Sequence, residues 1–469
     1  MKALILAVAT ATSLFFESPD RHRTIEEHFK TQPSQRIEMR GFSGANIKVK
    51  SWEKDEVSIR LDISYSSSDV RDEQRFLDAI SLKYTQSAEA LTITYYEADM
   101  SGKGRRSFWS WVSSIFSGGF MTKEIEGEIY VPQSNSLSAE VRYGSISLDG
   151  MKGPLRLDGT GNTVVLKNCS AIQEITNDYG KTTIERSGGS LQLSSKSATI
   201  LVDQFTGKAT IDADYSNITA RDVTQSLVIF STSGTIKVDR VGGNTTIRSD
   251  YSNITANDIG GMLEVEDKSG KIHAKGMDGV KVEGDYSSME ISDVRGKAGK
   301  AITLSGQSSP IFLSDAVGEV QINNPYGTID LKEIKGSVEA KSRSSTVRAS
   351  GVSGDWTSTT EYCTLSLRDV SAKRVTMSNT GGQIDIALTL APTFVDIKNE
   401  YAKVNLEIPA GFSGDVDLNV TYGHIETNLP LSKTKSFDGG GGYAIGKIGT
   451  GNGKLSIETK SGNVKVMQR

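Results

Sequence analysis

The sequence predicts an all-β fold, a parallel β-solenoid (β-helix) built from 18-residue coils and preceded by an N-terminal capping module. Three observations predict it: a long internal repeat, short segments in which apolar and polar residues alternate, and an unusual balance of turn residues. Of the 469 residues, 47 are Gly and only 9 are Pro. This balance excludes collagen, which needs a strict Gly-X-Y period, and argues against a Pro-rich disordered stalk.

The repeat is marked by tyrosines and small residues at fixed spacing. Tyrosines recur at 36-residue steps, at Tyr143, Tyr179, Tyr215 and Tyr251, and a Gly or Ser stands halfway between each pair. Only the 17-residue step into Tyr286 and the 22-residue step into Ser308 break the series. The strand and turn pattern repeats fully at 18 residues, and only the choice of Tyr or a small residue alternates. We therefore favour an 18-residue coil over a 36-residue coil, which would halve the length of the rod.

One coil illustrates the strands and turns. Ala209, Ile211 and Ala213 share one parity, so their side chains point to the same side of a strand. Val223 occupies a later corner, and apolar residues recur at its position in the following coils. Acidic residues such as Asp222 often precede this position, and we interpret them as turn residues.

The repeated tyrosines have the parity of the inward residues before them; for example, Val320, Ile322 and Asn324 lead to Tyr326. We therefore predict a structural tyrosine ladder inside the core, where Ser in alternate coils lets large and small residues interleave. A surface ladder that stacks on glycans is the alternative. The ladder comprises Tyr143, Tyr179, Tyr215, Tyr251, Tyr286, Tyr326 and Tyr362. Trp356 aligns with Val338 of the preceding coil and is also predicted to be buried.

The chain divides into six predicted segments. Residues 1–19 have the pattern of a secretory signal peptide, because one Lys precedes about 14 mostly apolar residues and Pro19 follows them. Residues 20–100 form an N-terminal β-rich capping module, residues 101–120 an aromatic amphipathic insertion, and residues 121–430 the solenoid repeats. A Gly-rich loop at 431–453 and a terminal coil at 454–469 complete the chain.

The insertion at 101–120 contains two of the four Trp residues and an apolar stripe at helical spacing. Two interpretations remain open: the stripe caps the open end of the solenoid core, or it docks on a membrane interface or a partner. The cap is favoured, because an open core end costs stability and this segment directly precedes the first coil. The stripe consists of Phe108, Trp109, Trp111, Val112, Ile115 and Phe116.

Several segments carry a family resemblance. They are residues 46–52 near the N-terminus, the repeated (Ser/Tyr)-Gly-x-Ile coils, residues 401–409 and residues 451–464. Together they resemble the bacterial putative-adhesin β-solenoid family, a group of exported domains of largely unknown function. The resemblance implies the solenoid fold for nearly all of the mature chain, and it implies an adhesin-like role as an expectation.

The sequence favours binding over catalysis. Basic and acidic residues nearly balance, at 53 and 57, so the composition lacks the excess of basic residues that is typical of nucleic-acid-binding proteins. The uniformly short turns leave no long loops to wall a cleft, and no Ser-His-Asp order, HExxH motif or Walker A sequence occurs. The acidic turn residues are too sparse for a calcium site. Cys169 and Cys363 lie many coils apart, so we expect both thiols to be unpaired.

These observations predict a non-enzymatic, exported β-solenoid that acts as an adhesin-like scaffold or binding surface at the bacterial cell envelope. The alternative is a polysaccharide-active β-helix enzyme, a lyase or hydrolase. We expect no catalytic or metal-ligating residues and no cofactor. The expected partner is an envelope polysaccharide or protein, with a peripheral membrane contact if the 108–116 stripe docks. We expect a monomer in the periplasm, on the cell surface or in the medium.

Overall fold

The fold is described from a computed structural model, which covers residues 21–33, 35–66, 70–97, 122–297 and 300–469. It is a parallel β-solenoid of about 15 turns with about 18 residues each, as the sequence predicted. The strand register decides the coil size, since Leu137 pairs with Leu155 and Ala209 pairs with Leu227, each 18 residues on. The alternative of one 36-residue coil is therefore wrong.

The described N-terminal ranges contain strands and one helix. These are β1 (Arg21–Lys30), β2 (Arg36–Ser43), β3 (Asn46–Trp52), β4 (Glu56–Ser66), α1 (Val70–Ala79), β5 (Ile80–Gln86) and β6 (Ala90–Glu97). After residue 121 the chain continues with β7 (Thr122–Pro132), β8 (Leu137–Arg142), β9 (Ser145–Asp149), β10 (Leu155–Thr160), β11 (Thr163–Lys167), β12 (Ile172–Asp178), β13 (Lys181–Lys196) and β14 (Thr199–Asp214).

The middle coils contain β15 (Ser216–Val223), β16 (Leu227–Val241), β17 (Thr245–Asp267), β18 (Lys271–Gly284), β19 (Ser288–Val294), β20 (Ile302–Ser305), β21 (Ile311–Val317), β22 (Val320–Asn323), β23 (Ile329–Lys335), β24 (Val338–Ser342), β25 (Thr346–Val352), β26 (Trp356–Thr360) and β27 (Thr364–Val370). The last strands are β28 (Arg374–Gly381), β29 (Ile384–Leu388), β30 (Phe394–Tyr401), β31 (Val404–Ile408), β32 (Gly414–Tyr422), β33 (Ile425–Thr427), β34 (Lys433–Ser436), β35 (Gly442–Ile448), β36 (Gly453–Ser461) and β37 (Val464–Gln468).

Each regular coil has two main sides, which we call face A and face B. In the coil that begins at residue 209, face A buries Ala209, Ile211 and Ala213, and face B buries Ile218 and Ala220. Alternate residues point outward because side chains alternate along a strand. Stacking these sides coil on coil makes one continuous apolar core along the rod.

Two corners bend the chain around this core. The tyrosine corner lies between face A and face B, at Tyr215 in this coil, and the polar corner follows face B at Asp222. Both residues have positive φ, 52° in each case, and this left-handed conformation turns the chain within one residue. Because a single such residue leaves most of the ladder hydrogen bonds intact, strands such as β13 and β17 run through corners.

The parallel stack begins inside the predicted capping module. Strands β2 and β3 pair in parallel with β8 and β9, so they form a coil of the solenoid. Beyond this coil, β1, β4 and β7 pair antiparallel, as do β5 and β6. Helix α1 packs against this end and buries Phe76, whose ring stacks on that of Tyr65 at 4.1 Å. The capping role of this region stays a prediction.

The C-terminal end differs from the prediction in two ways. The predicted Gly-rich loop at 431–453 contains β34 and β35, which pair antiparallel with each other, while β35 also pairs with β32. Gly440 and Gly441 have φ of 89° and 90°, so they supply a tight turn and leave the flanking residues free to pair. The predicted terminal coil is not last in space, because β36 lies between β30 and β32, and β37 lies between β31 and β33.

Two further predictions concern buried residues, and the structure agrees with both. Trp356 is fully buried, and Cys169 and Cys363 are buried free thiols. The signal peptide at 1–19 and the stripe from Phe108 to Phe116 lie outside the described residues, so both stay predictions. In the ranges given above, no helix has the length and apolarity needed to cross a membrane.

Candidate binding surface: the tyrosine corner

The repeated tyrosines lie on the surface, so the prediction that they fill the core is wrong. Their exposed fractions run from 45% at Tyr326 to 65% at Tyr215. The prediction assumed that alternate residues point to the same side, and this assumption fails because the chain turns at this corner. Four of the tyrosines have positive φ, and a left-handed residue breaks the alternation of side chains that a straight strand would keep. In the coil of Tyr215 the next residue, Ser216, points inward instead.

The exposed tyrosines form one row along the rod, and the structure extends this row beyond the seven predicted positions. Tyr401 pairs with Gly381, and Tyr422 pairs with Ser461, so both stand at the same corner as the others. We call the complete row the tyrosine ladder: Tyr143, Tyr179, Tyr215, Tyr251, Tyr286, Tyr326, Tyr362, Tyr401 and Tyr422. One small residue separates neighbouring tyrosines, so the rings recur every two coils, about 9.6 Å apart.

The alternation of large and small residues has a steric cause. A Cβ atom added to Gly161 would lie 3.0 Å from Cδ1 of Tyr143, and one added to Gly381 would lie 3.2 Å from Cδ1 of Tyr362. At these two positions the tyrosine ring lies over the small residue of the next coil. A bulky residue in every coil would compete for the same space.

The displaced terminal coil keeps this alternation intact. Chain order alone would place Tyr401 and Tyr422 in neighbouring coils. Because β36 pairs with both β30 and β32, Ser461 stands between them. Large and small residues therefore alternate up to the last coil.

Buried polar side chains hold the corner from inside. Asn177 accepts a hydrogen bond from the backbone N–H of Asn162 at 3.2 Å and donates to its carbonyl at 3.0 Å. Asn324 makes the same pair of bonds with Ser309, at 3.2 and 2.6 Å. Asn379 makes the pair with Cys363, at 3.4 and 3.0 Å. These asparagines satisfy backbone groups that the turn removes from the strand ladder.

An aspartate takes the position of these asparagines in one coil. Asp267 is 4% exposed, and it accepts hydrogen bonds from the Ser287 hydroxyl at 2.7 Å and the Ser252 N–H at 3.3 Å. Burial raises the pKa of Asp267 above its ordinary value, and the hydrogen bonds partly offset this effect.

Sequence reasoning did not find these inner side chains. A signal was present, because Asn stands two residues before Tyr179, Tyr326 and Tyr401. Asn hydrogen-bonds to nearby backbone and is common where a strand ends in a turn. An Asn-x-Tyr pattern at the end of a strand therefore marks a corner rather than a continuing strand.

Charged residues precede the ladder on its face A side. A carboxylate precedes several tyrosines, and a Lys or Arg precedes several of the interleaved serines. Three of these neighbours form ion pairs between coils: Lys268 with Asp250 at 2.7 Å, Arg343 with Glu361 at 3.1 Å, and Lys460 with Glu400 at 2.6 Å. The hydrogen bond from Lys268 to Asp250 raises the pKa of Lys268. In these pairs, positive and negative charge balance beside the rings.

An open depression of about 420 Å³ lies beside the middle of the ladder. It is lined by Asp214, Asp250 and Asp285, which directly precede Tyr215, Tyr251 and Tyr286, and by outward residues of face A. Among these, the guanidinium of Arg248 lies 5.9 Å from the ring centre of Phe230. On face B, Asn217, Thr235, Asn253 and Lys271 pair side by side next to the ladder. The rings are therefore flanked on both sides by hydrogen-bonding groups.

Solved structures that are named putative adhesins or putative cell adhesion proteins are similar to this chain. A putative cell adhesion protein from Clostridium sporogenes is 8% identical, with a TM-score of 0.16, and the match covers 95% of this chain and 100% of that one. A putative adhesin from Bacteroides fragilis is 12% identical, with a TM-score of 0.26 and coverage of 58% and 97%. A putative adhesin from Parabacteroides distasonis is 9% identical, with a TM-score of 0.17 and coverage of 76% and 96%.

These names agree with the family that the sequence resembles. All three TM-scores lie below 0.5, so the fold assignment depends on the strand register of this chain and not on the likeness. No protein-family model and no curated protein matches the chain. Among the described residues, no group of three or more His, Cys, Asp or Glu side chains is placed to hold a metal ion.

Proposed function

We propose that this protein is a non-enzymatic, exported β-solenoid whose tyrosine corner is an adhesin-like binding surface at the bacterial cell envelope. One observation carries the proposal: the corner places large aromatic side chains outside and polar side chains inside. Tyr215, Tyr251 and Tyr286 are 59–65% exposed, whereas Asn177 and Asn324 in the equivalent inner row are fully buried. Folding alone favours the opposite arrangement, because burial of apolar surface stabilises the fold and burial of polar groups does not.

A row of exposed aromatic rings on a rigid rod suits binding by many weak contacts. Aromatic residues contribute a large contact area with few rotatable bonds, and they are enriched in binding surfaces. Repetition along the rod lets contacts that are weak individually add up to stable attachment. A solenoid holds the spacing of the rings constant, since each coil is hydrogen-bonded to the next.

The polysaccharide-active enzyme remains the alternative class, and the corner chemistry supports it less. A general acid needs a carboxyl group in contact with substrate and with a raised pKa. Asp267 has a raised pKa, but it is buried and hydrogen-bonded to Ser252 and Ser287. Asp250 and Glu400 at the surface are paired with Lys side chains. We therefore propose retention of a polysaccharide without cleavage.

The experiment compares wild type with the triple variant Tyr215→Ser/Tyr251→Ser/Tyr286→Ser. Serine is the matched replacement, because the chain itself places Ser197 at this corner with a φ of 51°. Full chains are coated on beads, and the retention of bacterial cells and of isolated cell-wall sacculi is counted. We expect the variant beads to retain far less of both. Equal retention by the two proteins would refute the tyrosine corner as the binding surface.

A separate assay tests for cleavage. Soluble polysaccharides are incubated with wild-type protein, and new reducing ends and unsaturated uronic products are measured over time. We expect no change relative to a protein-free control. Formation of either product would favour the lyase or hydrolase.

The proposal also includes the cellular location and the oligomeric state of the protein. An exported chain requires removal of the predicted signal peptide, so the N-terminal residue of protein from the periplasm or medium should lie beyond about residue 19.

We propose a monomer, and light scattering after size-exclusion chromatography should give a mass near 50 kDa at all concentrations. Concentration-dependent polymers would contradict this state and point to stacking of solenoid ends.

A further inference from the structure

We infer that the tyrosine corner binds an extended, uncharged, β-linked polysaccharide that lies along the rod axis. The inference rests on the proposed function, since it names the ligand class of the same surface. It follows from the period of the rings, the chemistry beside them and the balance of charge.

The period of the rings requires a linear ligand with a matching repeat. Neighbouring rings of the ladder stand about 9.6 Å apart, because the small residue of one coil separates them. Successive sugars of an extended β-1,4-linked chain are turned over relative to each other, so equivalent ring faces recur at every second sugar. This disaccharide repeat is close in length to two coils. One sugar face in each repeat can therefore lie against one tyrosine ring.

A second linear ligand has nearly the same repeat. A polyproline II helix advances roughly 9.3 Å per turn, and aromatic grooves bind Pro-rich peptides in this conformation. Period alone does not separate the two ligands, so the groups beside the rings decide between them.

The groups beside the ladder suit hydroxyl groups better than a Pro-rich peptide. Asp214, Asp250 and Asp285 on one side offer carboxylate oxygens, which only accept hydrogen bonds. Asn217 and Asn253 on the other side both donate and accept. Sugar hydroxyls also donate and accept, so they satisfy both sides of the corner. Thr232 already donates to one oxygen of Asp214, and Lys268 to one oxygen of Asp250. Proline has no N–H, so a Pro-rich backbone would add no donor for Asp285 or for the remaining oxygens of these two carboxylates.

The balance of charge favours an uncharged chain. On the face A side, Lys268, Arg343 and Lys460 each pair with a carboxylate of a neighbouring coil, so these three cations attract an anionic polymer less than unpaired cations would. An anionic polysaccharide would also approach Asp214 and Asp285 beside the open depression. A neutral chain avoids that repulsion and still uses the hydrogen-bonding groups.

The test uses insoluble cellulose and chitin, which are neutral β-1,4-linked chains, and β-1,4-linked oligosaccharides of increasing length. Depletion from solution and calorimetric titration measure binding of the full chain. We expect affinity to rise with oligosaccharide length, and the triple variant Tyr215→Ser/Tyr251→Ser/Tyr286→Ser to bind about tenfold more weakly or worse. The matched control Tyr84→Ser/Tyr96→Ser/Phe312→Ser removes three exposed aromatic rings that lie off the ladder, and it should bind like wild type. Equal unfolding temperatures of the variants would show that folding is not the cause.

The other outcomes separate this inference from the proposed function. Binding of poly-L-proline through the ladder, without binding of cellulose or chitin, would overturn the inference in favour of a polypeptide ligand. Failure of all three polymers, while the triple variant still loses retention of cells and sacculi, would also overturn it and leave the proposed function standing. Retention that does not depend on the three tyrosines would overturn both.

Discussion

The two corners of each coil solve the same problem with opposite chemistry. At the polar corner, Asp222 and Arg240 point outward, and the next residues, Val223 and Val241, are buried. At the tyrosine corner the large apolar surface is outside, and the inner positions are mostly Asn, Ser or Asp, with Ala198 and Cys363 as exceptions. Both corners turn the chain with residues of positive φ. The polar corner shows that the fold can make this turn with ordinary burial, so making the turn does not by itself require an exposed tyrosine.

At the tyrosine corner, stability depends on hydrogen bonds instead of apolar contact. Asn379 illustrates this dependence, since its amide group bonds to the carbonyls of Cys363 and Gly381 and to the side chain of Asn399. At the polar corner the charged groups are outside, where Arg240 makes two hydrogen bonds to Asp222 at 2.6 and 2.9 Å. These bonds lower the pKa of Asp222, but solvent screens such surface pairs and limits their contribution to stability.

The largest effect is expected inside the polar corner. Ile259 is fully buried there, so Ile259→Ala should lower the free energy of unfolding by about 2–5 kcal/mol through lost burial and a residual cavity. Unfolding in urea, followed by circular dichroism, measures the change. Asp258→Asn is the control, because Asn also tolerates positive φ at this outward site, and it should stay within about 0.5 kcal/mol. Equal effects of the two substitutions would contradict the assignment of inside and outside.

A smaller effect is expected inside the tyrosine corner. Asn379→Ala should cost about 1–3 kcal/mol, because it leaves buried backbone groups of Cys363 without partners. The same urea titration measures it, with Ser378→Ala on the exposed side of the strand as control. An Asn379→Ala variant as stable as the control would show that the inner polar row does not hold the corner.

The third effect depends on pH. Burial raises the pKa of Asp267, so the folded protein binds this proton more tightly than the unfolded chain does. The stability from this group is complete below the unfolded pKa near 3.8, and it is lost as pH rises through the higher folded pKa. Asp267→Asn removes this loss of stability at high pH, because the Asn side chain does not ionise. It also places Asn where Asn177 and Asn324 stand in other coils.

Thermal unfolding across a pH series checks this prediction. The Asp267→Asn variant should melt at a higher temperature than wild type at pH 7, and the difference should shrink as pH falls towards 3.8. The control variant is Asp250→Asn, which makes the same substitution at a carboxylate on the surface. A variant that is less stable than wild type at pH 7 would mean that the carboxylate is needed in its charged form.

The smallest effect on stability is expected outside the tyrosine corner. Tyr251 is 59% exposed, so Tyr251→Ser should change the free energy of unfolding by about 0.5 kcal/mol or less. Urea unfolding beside the Ile259→Ala variant measures the contrast between the two corners. A loss as large as that of Ile259→Ala would show that the ring is structural, and would remove the main support for a binding surface.

The sequence by itself determined the coil and most of its core. Spacing identified the 18-residue repeat and aligned Trp356 with Val338, while alternation placed Ile211 inside; the structure buries both Trp356 and Ile211. These predictions succeeded because stacked strands force equivalent residues into register and side chains alternate along each strand. Local patterns are sufficient wherever the chain stays extended.

The tertiary structure alone decided three other features. The tyrosines point outward because the chain turns at their corner, in four cases through a positive φ at the tyrosine itself, and the alternation of side chains holds only along an extended chain. Residues 433–448 form a hairpin, since pairing with β32 offers partners that the local Gly-rich composition does not reveal. The terminal coil lies between earlier coils, where it finds hydrogen-bond partners on both sides and keeps Ser461 between Tyr401 and Tyr422. The hairpin and the position of the terminal coil depend on contacts between distant residues, which no local pattern contains. For the tyrosines, the Asn two residues earlier was the one local sign of the turn.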